Sequence, residues 1–287
     1  MPQNYRVAYS HEEMNPKRRS TMEDCHRIVE SLDSNPLLSY FGVYDGHGGR
    51  QIVDFLEESL ENNISTELKL NDSADIPERL TRAFLITDMQ SRRMDITTSG
   101  ATAVSALLVA NNENSSKTLY VANVGDSRAV LACQSSSSSS STNSNNTNNI
   151  IAKRLSYDHR AEDESEQLRI KNSGGFVTRQ RVLGILAVTR AFGDHGMKDF
   201  VTANPYVSTS ILTNIHDYPF LILACDGVWD VFSDQDACDL ILKTLEIAKT
   251  QGQGIKEAES QCAQILVQAS IDKGSADNIT AIVIFLY

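Results

Sequence analysis

Residues 40–49 read YFGVYDGHGG. An apolar run with the aromatic and β-branched character of a buried strand stops at Asp45, and Gly46, His47 and two more glycines follow. Asp-Gly is a favoured pair for a tight hairpin turn, whose two central residues need positive φ. It is equally a way to set a carboxylate and an imidazole at the rim of a core. The other aspartates separate the two readings. Asp226 closes "FLILACDG" as Asp45 closes "YFGVYDG", Asp126 ends "LYVANVGD", and Asp277 stands just before "ITAIVIFLY". A turn would have to be invoked separately for each, whereas one acidic site accounts for all of them.

Working outward, helical and strand-like signals alternate in blocks. Ile52, Leu56, Leu60, Ile64 and Leu68 recur every four residues and predict a long amphipathic helix. A second helix is expected from about Pro77, with Leu80, Phe84 and Met89 on one side. Short apolar runs follow as strands: "ATAVSALLV", "TLYVANV", "RAVLAC", "FLILAC" and "ITAIVIFLY". Further helices are expected at 162–172, stopped by Gly174-Gly175, from the N-cap Ser233 to about Lys249, and from about 255 to 272. Paired helices with strands clustered between them predict an α+β fold in which sheets pack on each other and helix pairs cover the outside.

With 287 residues and 41% hydrophobic content, the chain can bury a large core without disulfides, and a single domain over 1–287 is expected. One tract stands apart. Ser135 to Asn149 is seven serines followed only by Thr, Asn and Ser, so a disordered loop insertion is expected at about 134–149, lengthening a surface hairpin. The five cysteines lack C-x-x-C spacing and are odd in number, which points to reduced thiols in the cytoplasm or nucleus. No run approaches a membrane span, and Pro2 stands where myristoylation needs glycine. The net charge of −11 opposes binding to nucleic acid or anionic lipid. A monomer is the default expectation.

Carboxylates that converge on one edge of a core repel one another, and a cation resolves the conflict. Hard divalent ions such as Mg²⁺ or Mn²⁺ suit oxygen ligands, and Gly46 leaves its carbonyl accessible beside Asp45. Without a Cys/His cluster at ligand spacing, zinc and copper are disfavoured. The segment "RRSTMED" adds Glu23 and Asp24, which can accept from metal waters, and arginines able to clamp a phosphate.

In order, "RRSTMED", "VYDGHGG", "TSGATAV", "VANVGDSRAVL", "RVLGILAVTRAFGD", "LACDGVWDV" and "SADNITAIVIF" resemble the type 2C metal-dependent protein serine/threonine phosphatases, from about residue 18 to the C-terminus. Among members the chain looks most similar to the small fungal enzymes. The resemblance implies a β-sandwich of two antiparallel sheets flanked by helix pairs, a four-layer αββα fold. It implies two Mg²⁺ or Mn²⁺ ions bridged by Asp45, with the Gly46 carbonyl, Asp226 and Asp277 as further ligands. Glu23, Asp24 and Asn278 would act through metal waters, Arg19 would bind phosphate, and His47 would be the general acid. Asp126 and Asp230 match a third, weaker metal position of some members, and Arg190 lies in a motif bordering the site. The implied reaction is hydrolysis of phosphoserine or phosphothreonine by metal-activated water without a phosphoenzyme. Phosphoproteins would be the substrates, with the activation loop of a stress-responsive kinase among the expectations.

Other readings fail on spacing. "DVFSDQDACD" lacks the ligands and central glycine of an EF-hand, and "GHGGRQ" is neither a P-loop nor a dinucleotide fingerprint. His159 reads as structural or surface, and Trp229 as core packing. Two rivals stay open: a pseudophosphatase that keeps the fold as a scaffold, and a metal-dependent phosphoesterase for small molecules or nucleic acid, the latter opposed by the net charge of −11.

Overall fold

The computed structural model describes residues 5–96, 98–111, 116–135 and 150–287. In chain order the elements are β1 (Val7–Glu13), β2 (Cys25–Val29), β3 (Leu38–His47), α1 (Gln51–Leu68), α2 (Ile76–Arg92), β4 (Gly100–Ala110), β5 (Lys117–Val124), β6 (Arg128–Gln134) and β7 (Ile150–Arg154). Then come α3 (Glu164–Asn172), β8 (Val177–Thr178), β9 (Arg181–Val182), β10 (Phe192–Gly193), β11 (Tyr206–Leu212), β12 (Phe220–Ala224), α4 (Asp226–Trp229), α5 (Asp234–Thr250), α6 (Ile255–Asp272) and β13 (Ile279–Phe285).

The strands form two antiparallel sheets, β1-β13-β12-β6-β7 and β11-β5-β4-β3-β2, with β10 added to β4. Strand alternation sorts their side chains into three layers of core. Phe41 and Val43 of β3 meet Leu221, Leu223, Ile282 and Ile284 between the sheets. The alternate positions Tyr40 and Tyr44 pack outward under α1 and α2 with Leu56, Leu60 and Phe84. On the far side, Ile222, Ala281 and Val283 pack under α5 and α6 with Ile241, Cys262 and Leu266. The result is the expected α+β sandwich, four layers deep. Each fully buried Leu or Ile contributes about 1.5–3 kcal/mol, so the two helix-facing layers matter as much as the inter-sheet one.

Local signals account for the helices. Ile52, Leu56, Leu60 and Ile64 are all buried along α1. The second helix starts at Ile76, one residue earlier than Pro77, because Asp75 and Glu78 form a reciprocal capping box. Met89 departs from expectation and is 53% exposed. It lies five residues beyond Phe84, well round the helix, and Thr87 and Ser91 take the inward positions instead. Ser233 caps α5 by accepting from Asp236 N–H at 3.1 Å. β6 and β7 pair antiparallel, so the Ser/Asn tract joins neighbouring strands. Of the disordered insertion expected at about 134–149, Gln134 is the last residue of β6, and residues 136–149 lie outside the described residues. Among the described residues no helix is long and apolar enough to cross a membrane.

Candidate metal centre

Asp45-Gly46 is not a turn. β3 continues through it, pairing Asp45 with Thr102, Gly46 with Ala101 and His47 with Gly100 of β4. Asp45 shares the parity of Phe41 and Val43, so its carboxylate points between the two sheets at their open end. A Cβ on Gly46 would sit 2.4 Å from the Glu23 carbonyl oxygen, so glycine lets the loop before β2 lie against the strand. The matching words in the other sheet have a different backbone. After β12, Asp226-Gly227 opens the short α4, with Cys225 as its extended N-cap residue.

Carboxylates therefore converge from several elements: Asp45 from β3, Asp24 from the loop before β2, Asp126 from the β5–β6 turn, Asp226 and Asp230 from α4 and its end, and Asp277 from just before β13. Ligand atoms of Asp24, Asp45 and Cys225 all lie within 4.8 Å of one another. Burial raises the Asp45 carboxyl well above the usual range, and Asp226, Asp24, Asp126 and Asp277 add to it. Asp226 is raised in the same way by burial, then by Asp126, Asp277 and Asp230. Burial pushes Asp24 up to about 7 despite a 2.7 Å hydrogen bond from Thr280 Oγ1. Asp126 is pushed up to about 6, against the pull of Arg160. Buried carboxylates this close to one another are short of positive charge, and their oxygens suit a hard divalent cation. These residues fit Mg²⁺ or Mn²⁺. The buried Cys225 thiol is held neutral by burial and by Asp24 and Asp45.

The loop carrying Glu23 and Asp24 is clamped from two sides. Arg50 Nη1 donates to the carbonyls of Met22 and Asp24, both at 2.9 Å. Asn278 Nδ2 donates to Met14 O and Thr21 O, both at 2.9 Å, and its Oδ1 accepts from Glu23 N–H at 2.8 Å. Both amide hydrogens of Asn278 are thus committed to backbone, so the side chain braces the loop that carries the expected water-bound residues Glu23 and Asp24. Arg19 is exposed and donates to Asp277 Oδ2 and, at 3.2 Å, to Ala276 O.

Three neighbours were missed in the sequence. Asp194 Oδ2 lies 2.8 Å from His47 Nε2. Arg160 reaches Asp126 and Asp230, and Arg50 braces the Met22–Asp24 backbone. Asp194 and Arg50 stand within or beside quoted motifs, but nothing local marks their partners. Arg190 is tied to Glu166 of α3 at 2.6 Å and to Asn204 O at 2.9 Å. His159 is buried against Gly125 O at 3.2 Å, and burial with the nearby Arg190 lowers it to about 4, so it stays neutral and structural. Trp229 is core, with Nε1 donating to Ala224 O at 2.9 Å.

The sequence profile described as Protein phosphatase 2C matches residues 8–279. The chain belongs to the protein phosphatase 2C family. It is 35% identical to "Protein phosphatase 2C homolog 1" of Saccharomyces cerevisiae, over 98% of this chain and 94% of that protein. It is 32% identical to "Protein phosphatase 2C homolog 1" of Schizosaccharomyces pombe, over 96% of this chain and 72% of that protein. The crystal structure of "serine-threonine phosphatase 2C from Toxoplasma gondii" superposes with a TM-score of 0.75 at 20% identity, covering 100% of this chain and 98% of that one, and shares the fold. A protein phosphatase 2C is a protein serine/threonine phosphatase that depends on Mg²⁺ or Mn²⁺, and the acidic end of the sandwich is the part of this phosphatase suited to such ions.

Proposed function

We propose that Asp45, the Gly46 carbonyl, Asp226 and Asp277 would hold two divalent ions between the sheets, with Glu23 and Asp24 acting through waters. The observation that carries this is the convergence of Asp24, Asp45, Asp126, Asp226 and Asp277 on one end of the sandwich, where burial first and neighbouring carboxylates second raise Asp45 and Asp226. Ions bound there would make water a stronger nucleophile near neutral pH and neutralise charge on the phosphoryl oxygens. Arg19, exposed and held on Asp277 and Ala276 O, would turn its fork of N–H donors from these partners to the incoming phosphate. His47, oriented by Asp194, donates a proton to the departing serine or threonine oxygen.

The test is phosphate release from a phosphothreonine peptide by the purified chain, with Mn²⁺ or Mg²⁺ and after EDTA. Release that requires the metal is expected. None under any metal condition would leave the fold as a binding scaffold.

The substrate proposed is an activation-loop phosphothreonine of a stress-responsive protein kinase, a reading that rests on the family resemblance of the sequence motifs alone. An intact phosphorylated kinase incubated with the metal-loaded enzyme should lose that phosphate. Retention there, alongside turnover of the peptide, would sink the kinase reading alone.

A further inference from the structure

Asp126 and Asp230 face each other beside Asp226, and the space between them already contains positive charge. Arg160 Nε lies 3.0 Å from Asp126 Oδ2, and its Nη2 donates to Asp230 Oδ1 at 2.6 Å. This side chain is built in. Arg160 forms a bridge with Val188, the next residue donates to Ala187 O at 2.8 Å, and Arg160 N–H itself donates to Asp158 O at 3.1 Å. Asp126 is almost wholly buried, so without Arg160 or a metal its charge would lie beside two other carboxylates uncompensated.

A guanidinium is an imperfect stand-in for a metal ion. It supplies charge and directed donors, but it offers no ligand position and takes more room. An ion coordinated by both Asp126 and Asp230 therefore has to displace it, breaking the charge-assisted hydrogen bond to Asp230 and the close ion pair with Asp126. Room for the displaced side chain exists. A cavity of about 330 Å³ adjoins it, lined by Arg160, Asp126, Asp226 and Asp230, by Arg179 and Arg181, and by the exposed carboxylate Glu162, which can receive the arginine away from those two cations.

We infer that the guanidinium of Arg160 occupies the place between Asp126 and Asp230 that a third divalent ion would take, so that arginine and ion exclude each other there. The inference rests on the reading that Asp45, Asp226 and Asp277 hold two ions elsewhere in the same centre. Asp126 and Asp230 then act as partners of Arg160 until the concentration of free ion is high enough to expel it.

Titration calorimetry with Mn²⁺ on the full chain tests this without an activity readout. The wild type should show two tight sites, and in Arg160→Ala a third should appear with affinity at least about tenfold above any third site of the wild type. The double variant Asp126→Asn/Arg160→Ala should lose it again, and Arg160→Lys, which keeps the charge, should stay close to wild type. Equal third-site affinity in wild type and Arg160→Ala overturns the inference. No binding to any variant overturns the two-ion reading instead. If Arg160→Ala does not fold, Arg160→Gln gives the same comparison, and the side-chain Nε–H resonance of Arg160 in the wild type gives a second one. That signal should shift as Mg²⁺ rises into the millimolar range, and a signal that stays fixed while three ions bind counts against exclusion.

Discussion

His47 Nε2 and Asp194 Oδ2 lie 2.8 Å apart although 147 residues separate them in the chain. Asp194 is held in a left-handed conformation at φ 47, and its N–H donates to Ser99 O at 3.1 Å. That backbone aims the carboxylate at the imidazole and holds the ring in one orientation, as the proposed proton donation to a leaving group requires. Asp194→Asn should lower kcat on a phosphothreonine peptide by about 10-fold or more and leave an aryl phosphate, whose leaving group needs no proton, nearly untouched. Equal losses on both substrates would show that Asp194 serves the fold and not the proton transfer.

Gly100 makes this pair possible. A Cβ there would meet Asp194 Oδ2 at 2.2 Å and His47 Nε2 at 2.3 Å. Gly100→Ala should therefore separate the two side chains, reproduce the leaving-group selectivity of Asp194→Asn, and cost about 1–3 kcal/mol in stability. Comparing the two substrates and a urea melt checks both parts, and a variant with unchanged selectivity would show that the pair can shift without consequence.

Asp45→Asn should abolish metal-dependent turnover while raising the melting temperature in EDTA. Asp45 is raised chiefly by burial and then by Asp226, Asp24, Asp126 and Asp277, so the amide removes a penalty from the ion-free protein. Each kcal/mol relieved is worth about 2–4 °C at this size. A lower melting temperature in EDTA would mean that Asp45 supports the fold by contacts other than charge.

Without ions, stability should fall as pH rises from 5 to 8. Asp24 at about 7 and Asp126 at about 6 lie above the ordinary unfolded value of about 3.9. The folded chain thus holds more protons than the unfolded one across this window, and folding stability is lost as they leave. Millimolar Mg²⁺ should flatten the slope, because the ions favour the charged carboxylates. Thermal melts at several pH values, with EDTA and with Mg²⁺, measure it, and parallel curves would separate these groups from the ions.

Glu166 supports the segment that carries Arg190. It is buried and accepts from Arg190 at 2.6 Å, Arg169 at 2.9 Å and Thr189 at 2.7 Å. Burial opposes its ionisation, but these bonds prevail and hold it down at about 2. Glu166→Ala strands two guanidinium groups and should cost about 3 kcal/mol, read as a lowered urea midpoint at pH 7. The penalty should shrink below the unfolded value of about 4.3, as the wild-type carboxylate loses its advantage.

The sequence alone determined the elements whose burial pattern is periodic. Ile52 to Ile64 specified α1, the cap Ser233 specified the start of α5, and the unbroken apolar run before Asp45 specified β3 as a buried strand. It also supplied the acidic residues at strand ends, because each of these is marked by the apolar run beside it. Met89 was misplaced because two good core positions, Leu80 and Phe84, were extended by a residue at the wrong angle. Tertiary structure decided the rest. The same pair, Asp-Gly, stays extended at 45–46 because β4 supplies backbone partners, and opens a helix at 226–227 where the chain leaves the sheet. Asp194 against His47, Arg160 between Asp126 and Asp230, and Arg50 on the Met22–Asp24 backbone are contacts across 26 to 147 residues. No local pattern encodes such partners, since they arise only when two sheets stack and bring their ends to a common edge.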